Sequence, residues 1–463
     1  MHNLKIHNSF SGKKENFIPL DDKHIKIYAC GPTVYNFAHI GNARMAVVFD
    51  TFVRVLRHTF PKVTYVSNIT DIDDKIIAAA REQNLPINEI TTKYTQIYNS
   101  DMKTLGVNEP DHQPKATEFI DEMIELIETL IDKGHAYEKD GHVLFHVLSY
   151  GQYGSLSKRN RDEQIAGSRV EIAPYKKDAA DFVMWKPSTN DQPGWDSPWG
   201  FGRPGWHTEC SAMSEKTLGL PFDIHGGGRD LVFPHHENEI AQSCCASASI
   251  DDPTSYAKYW MHNGFVTVDG EKMSKSLNNI TLVKELTDKY QGEVLRLALI
   301  SSHYRQGLDW NEKIIHQAEK LLNKLYKILH EGKDLLTDNS NKVDEEMLDA
   351  MSDDLNTPKA ISILNSLVKE YPKLEDSQKA GCINKIKTSG QLLGILHQDP
   401  ETWFSKDTSH MDIDLIEGLM KQRDEAKALK NYSEADSIRQ KLTGMGVEIL
   451  DSKDGSKWKP VSS

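Results

Sequence analysis

The sequence predicts an α/β protein: a parallel-sheet core carrying an insertion, followed by a helical bundle and a small C-terminal region. Three observations predict it. Residues 24–69 read as strand, helix, strand; a mixed segment intervenes from about Thr104 to Pro193; and from Asn311 the apolar spacing turns helical. With 463 residues the chain has room for roughly two to four domains, each with its own core.

The first strand is His24-Ile25-Lys26-Ile27-Tyr28-Ala29-Cys30, an alternating β-branched run that stops at Gly31-Pro32. Ala43 opens an apolar-rich helix to about His58, with Asn42 typed to cap it and His39 in the loop before it. Val63-Thr64-Tyr65-Val66-Ser67-Asn68-Ile69 is the next strand, so a right-handed crossover and a Rossmann-like core are expected. In the insertion, a helix over about Ala116 to Lys133 stops at Gly134. Asp140-Gly141, set between alternating apolar residues, signals a hairpin. The core is expected to resume near Gly194. Stretches around Ala318–Lys327 and Ala360–Val368 predict the bundle, broken by the polar Thr337-Asp338-Asn339-Ser340-Asn341 link.

Composition narrows the class. At 38% hydrophobic and 27% charged residues this is an ordinary globular composition, no stretch reaches membrane-spanning length and the start lacks an apolar leader, so a cytoplasmic protein is expected. Five scattered cysteines, Cys30, Cys210, Cys244, Cys245 and Cys382, argue against a disulfide framework. A net charge of −13 favours a small-molecule enzyme, although a local basic stripe can still hold RNA. The tail from Lys421 is such a stretch, with nine Lys/Arg against seven Asp/Glu, and it closes on Trp458-Lys459-Pro460. An aromatic among lysines can stack on an unpaired base; a solvated helix with a frayed end is the plainer reading.

Two motifs carry the nucleotide chemistry. His39-Ile40-Gly41-Asn42 opens the first helix, whose N-terminus directs N–H groups at an anion outside the strand ends. His39 and Asn42 can donate to triphosphate oxygens; taken alone the motif is better read as a buried His and a capping Asn, and the distant lysine motif reverses that preference. Lys272-Met273-Ser274-Lys275-Ser276 lies in a loop flanked by Asp269-Gly270 and Asn278-Asn279. From it Lys275, and secondarily Lys272, can bring mobile positive charge to a departing pyrophosphate. Together the motifs resemble the paired ATP-binding signatures of class I aminoacyl-tRNA synthetases. The family's first motif usually ends in His; Asn42 can donate a hydrogen bond but cannot be a cation.

A third constellation suits a metal. Cys30 closes the first strand, Cys210 lies in Gly205-Trp206-His207-Thr208-Glu209-Cys210-Ser211, and Phe233-Pro234-His235-His236-Glu237-Asn238-Glu239 opens a helix with Pro234 in its first turn. His235 and Glu239, four apart, share a face; His236 and Glu239, three apart, compete with them. Two thiolates, an imidazole and a carboxylate suit zinc, with buried Cys and surface His/Glu as the plainer alternative. Ile240 excludes the HExxH pattern.

Cys30-Gly31-Pro32-Thr33-Val34-Tyr35, the run from Gly202 to Met213, and Asp223-Ile224-His225-Gly226-Gly227-Gly228 through Glu239 resemble cysteinyl-tRNA synthetases along nearly the whole chain. The resemblance implies a zinc on Cys30, Cys210, His235 and Glu239 that takes the substrate thiolate, and it prefers His235 by analogy. It implies Gly31, Thr70, Trp206 and His207 as contacts for cysteine, Asp230 as a partner of the ribose or amino group, and His39, Asn42, Lys272 and Lys275 as the activating residues with Mg-ATP. The implied organisation is a catalytic domain over 1–103 and 194–310, a connective insertion over 104–193, a tRNA-stem bundle over 311–400 and an anticodon-reading region over 401–463. A monomer acting on ATP, L-cysteine and tRNA(Cys) is expected. Two rivals remain: a ligase that hands cysteine to a small-molecule amine, and a tRNA-binding protein that has lost catalysis.

Overall fold

Two antiparallel strands, β1 (Lys5–Asn8) and β2 (Lys13–Asn16), precede the central sheet. In that sheet β3 (Ile25–Ala29) and β4 (Val63–Ser67) run parallel, joined by the helix α1 (Ile40–Thr59), whose apolar face is buried. The computed structural model describes residues 3–160, 162–163, 173–274, 276–335, 343–405, 413–445, 447–452 and 455–460. It divides into two units, Met1–Asn323 with Thr337–Leu396, and Lys324–Leu336 with His397–Ser463. The polar Thr337–Asn341 link lies outside the described residues.

After β4 come helices α2 (Asp74–Gln83), α3 (Ile87–Thr104) and α4 (Ile120–Asp132), then an antiparallel sheet of β5 (Ala136–Lys139), β6 (His142–Phe145), β7 (Phe182–Pro187) and β8 (Gly202–Pro204) in that order. Asp140 and Gly141, at φ of +54° and +75°, form the two-residue turn between β5 and β6. Left-handed backbone at both positions is what Asp-Gly accommodates. The strand Gly202–Pro204 pairs with β7, so this sheet runs past residue 193.

Helix α5 (Trp206–Leu218) then returns the chain to the parallel sheet as β9 (Phe222–Gly228), and α6 (Glu237–Ala246) leads to β10 (Ala257–Asn263). The strand order β10-β9-β3-β4 reverses the direction of growth between β3 and β9. Such a switch point opens a crevice at the carboxyl ends of the two strands. Both strands are buried almost throughout, so side chains at their ends are held by a rigid floor.

The start of α1 corrects one expectation. Helical structure begins at Ile40 and the cap is His39, not Asn42. His39 Nδ1 accepts from the Gly41 and Asn42 backbone N–H groups at 3.1 and 3.4 Å, while Asn42 Oδ1 accepts from His39 N at 3.2 Å. Asn42 is therefore the third helical residue of a reciprocal capping box.

The first unit continues through the short strands Val266–Val268, Glu271–Lys272 and Leu308–Trp310 to helices Glu345–Ser352, Thr357–Glu370 and Asp376–Leu393. In the second unit, helices Ile413–Ala428 and Tyr432–Gly444 and the hairpin Val447–Ser452/Gly455–Pro460 close over Ile416, Leu419, Met420, Ile438, Leu442 and Val447. The frayed end of the plainer reading is instead a paired strand, with Trp458 opposite Ile449. The Trp458 side chain lies outside the described set. No helix among the described residues is long and apolar enough to cross a membrane.

Candidate active site

The switch point gathers four potential ligands from three elements. Cys30 follows β3, Cys210 sits in α5, and His235 and Glu239 flank the start of α6; all four are buried. Phe233 is extended and the helical path begins after it, which turns His235 and Glu239 to one side, Nε2 to Oε1 3.1 Å. The Cys30 and Cys210 sulfurs are 3.7 Å apart, and Cys30 Sγ is 3.8 Å from Glu239 Oε1. Tetrahedral zinc with Zn–S of about 2.3 Å requires an S···S edge of about 3.8 Å, and the shorter N and O bonds require an N···O edge of about 3.4 Å. These three edges are close to those values, and all four ligand atoms lie within 4.8 Å of one another, a spacing that suits a zinc-sized ion.

His236 also reaches the cluster, its Nε2 3.3 Å from Cys30 Sγ, and with Cys30, His225 and Glu239 it forms a second set of donors within 4.8 Å of one another. The first set alone includes both thiols. Each ring has a partner behind it: His235 Nδ1 lies 2.9 Å from His207 Nδ1, and His236 Nδ1 lies 2.8 Å from His262 Nε2. The Trp206 ring stacks on His235 at 4.2 Å and remains 38% exposed, a face open to a ligand.

The electrostatics set the protonation of this cluster. The hydrogen bond from Cys30 holds the Cys210 thiol down to about 6, whereas burial pushes Cys30 up. Burial would raise the Glu239 carboxyl, but His225 and His235 and hydrogen bonds from His225 and Tyr256 hold it below its ordinary value. Burial drives His207 and His236 well down, so both rings are neutral at physiological pH.

Beside the cluster, Gly31 N donates to Asn68 Oδ1 at 2.8 Å, and a Cβ at Gly31 would lie 1.6 Å from the Asn68 carbonyl oxygen. No other residue fits that approach. Backbone bonds from Val34 to Thr70 and from Thr70 to Pro32 join the two strand ends into one shelf. Asn68 Nδ2 donates to Thr70 Oγ1 at 3.3 Å, and Asn68 Oδ1 meets Cys210 Sγ at 3.9 Å. Gly31 follows Cys30, Thr70 joins the shelf beside Asn68, and Trp206 and His207 lie against His235.

The two sequence motifs also meet. Ile40 N donates to Thr281 O at 3.0 Å and Val283 N to Ala38 O at 2.9 Å, which clasps the α1 entrance to the chain following the lysine loop. The Met273 methyl carbon lies 3.5 Å from where a Gly41 Cβ would stand. Within the loop Asn279 accepts from Ser274 N and donates to the Lys272 carbonyl. Lys272 is exposed; Lys275 lies outside the described residues. Burial lowers the His39 pKa although Asp230, in the turn Arg229–Leu231, raises it. Asp230 and His39 therefore share one electrostatic neighbourhood, with the ring neutral.

Sequence reasoning named no role for several residues that complete this site. His225 and Tyr256 both contact Glu239, and Asn68 links Gly31 to Cys210. A histidine in the middle of a fully buried strand was a usable signal for His225; Tyr256 offered none, because its partner is set by tertiary packing.

Comparison with known proteins fits this geometry. Residues 16–320 match the model of the class I (C) tRNA synthetase catalytic domain, and residues 347–397 match the DALR domain. The structure of Mycobacterium tuberculosis methionyl-tRNA synthetase in complex with methionyl-adenylate aligns with a TM-score of 0.56 over 80% of this chain and 89% of that one, at 14% identity, a likeness of fold alone. The chain is a class I tRNA synthetase by fold. A cysteine–tRNA ligase of Parvibaculum lavamentivorans is 51% identical over 463 residues, covering 99% of this chain and 98% of the relative. Another, from Rhodospirillum rubrum, is 49% identical over 98% of this chain and 99% of the relative. The chain belongs to the cysteine–tRNA ligase family.

Proposed function

We propose that the chain activates L-cysteine with ATP to cysteinyl-adenylate, releasing pyrophosphate, and transfers the cysteinyl group to the 3′ end of tRNA(Cys). The observation that carries this reading is the convergence, at one switch point, of a buried two-thiol ligand cluster and a helix N-terminus clasped to a lysine loop. Family membership and the DALR domain support tRNA as the acceptor over a small amine, and nothing favours a retired binding protein.

A zinc on Cys30, Cys210, His235 and Glu239 would supply a soft acceptor for a thiolate, a preference that serine's hydroxyl cannot match. The set with both thiols is chosen over the His236 set because soft donors select zinc over harder cations. Gly31, Thr70, Trp206 and His207 would orient the amino acid around it. His39 Nδ1 accepts backbone N–H groups, so its proton sits on Nε2 and that atom donates to a phosphate oxygen. Asn42 spends its oxygen in the capping box and keeps its NH₂ for the same purpose. Positive charge for the leaving pyrophosphate would come from Lys275 and Lys272, alongside the Mg²⁺ that accompanies ATP. Asp230 would bind the ribose or the amino group.

The proposed domain assignment is catalysis over 1–103 and 194–310, an insertion over 104–193 near the acceptor end whose sheet borrows its last strand from Gly202–Pro204, the tRNA stem over 311–400 and the anticodon over 401–463, in a cytoplasmic monomer. Cysteine-dependent ATP–pyrophosphate exchange, with serine as control, followed by charging of tRNA, tests the reading. Exchange with charging is expected; exchange without charging would move the assignment to a small acceptor, and no exchange would overturn it.

A further inference from the structure

We infer that Tyr256 and His225 are positioning residues that restrict Glu239 to a single metal-facing oxygen, an inference that rests on the zinc reading above. Glu239 is fully buried and its two oxygens have different neighbours. Oε1 faces the cluster, 3.1 Å from His235 Nε2 and 3.8 Å from Cys30 Sγ. Oε2 turns away and is 2.7 Å from the Tyr256 hydroxyl and 2.7 Å from His225 Nε2. An ionised carboxylate only accepts, so both neighbours donate to Oε2 and occupy its lone pairs.

Both donors are fixed from outside the helix that carries Glu239. The His225 ring, on β9, stacks on Trp260 at 4.5 Å and 12° and packs against Tyr28 and Phe222. Its Nδ1 is buried without a hydrogen-bond partner, which leaves Nε2 as the nitrogen that carries hydrogen. Tyr256, just before β10, packs edge-on against Phe222, and its hydroxyl also lies 3.0 Å from Ser214 Oγ. The carboxylate is therefore set by the protein, with or without a metal.

A carboxylate can put one or both oxygens on a cation. With Oε2 held back, Cys30, Cys210, His235 and one oxygen of Glu239 would hold a metal, and the substrate thiolate would meet no further protein donor there. A released Oε2 would compete for that space. Losing the clamp should thus weaken cysteine more than ATP.

The test uses the full-length protein with cobalt in place of zinc, with Tyr256→Phe and His225→Asn as independent variants. In wild type, one cobalt per chain with the intense visible bands of a tetrahedral site is expected. Each variant should show weaker bands, as a second Glu239 oxygen joins, and a cysteine KM in pyrophosphate exchange raised about ten-fold with the ATP KM unchanged. Wild-type bands in both folded, metal-loaded variants would overturn the inference. Failure of the wild-type protein to take up any metal would instead refute the zinc reading on which it stands.

Discussion

The ligand cluster and the lysine loop lie beside the same strand ends but are made differently. Cys30, Cys210, His235 and Glu239 are all buried, each braced by a second hydrogen bond or a stacked ring. Lys272 is exposed at the tip of a two-residue strand, and the loop is held chiefly by Asn279 and by the clasp at Thr281 and Val283. A site that must tell sulfur from oxygen benefits from fixed donors, because selectivity depends on geometry. A site that must follow charge onto a departing group benefits from long, mobile cations. The two halves of the chemistry should therefore fail separately.

The strongest way to expose that separation is Lys275→Ala. It should slow cysteine-dependent pyrophosphate exchange by about 10²–10³-fold while zinc content and cysteine KM stay unchanged. A matching loss of cysteine binding, read by the same assay, would join the halves. Gly31→Ala attacks the rigid half: with the Asn68 carbonyl in the way, it should cost about 2–4 kcal/mol in urea unfolding and lower the metal content. A wild-type midpoint would mean that the shelf yields.

Asn42→Ala removes one arm of the capping box. Stability should fall by about 1 kcal/mol and ATP KM should rise, with metal content unaltered in elemental analysis. The smallest effect concerns Asp101, on α3, which faces Lys284 and Asp288 in the segment after the lysine loop. Burial raises its carboxyl to about 6, and Oδ2 has no hydrogen-bond partner. A raised folded-state value means stability present at low pH and lost as pH climbs toward that value. Asp101→Asn should therefore raise Tm by about 2 °C at pH 7.5 and change nothing near pH 4, as scanning calorimetry would show.

What could be read in the sequence followed local physics. The two strands, expected over His24–Cys30 and Val63–Ile69 and found at Ile25–Ala29 and Val63–Ser67, the Asp140-Gly141 turn and the shared face of His235 and Glu239 all depend on short-range periodicity or backbone preference. The cap at His39 was misassigned because Asn is the commoner capping type, whereas here the imidazole Nδ1 reaches back to the first-turn N–H groups. The Tyr256–Glu239–His225 arrangement was invisible because its members come from the entry to one strand, a helix and another strand, brought together only by the sheet order. The choice between His235 and His236 was not legible either, since adjacent residues at a helix start both reach the cluster.

The central claim, that a protein-fixed metal selects the amino acid, is tested most directly with Cys210→Ser. Zinc per chain would be measured beside cysteine- and serine-dependent exchange in wild type and variant. One zinc and strong cysteine preference in wild type, both lost in the folded variant, is the predicted result. Full metal content with the preference intact in Cys210→Ser would contradict it.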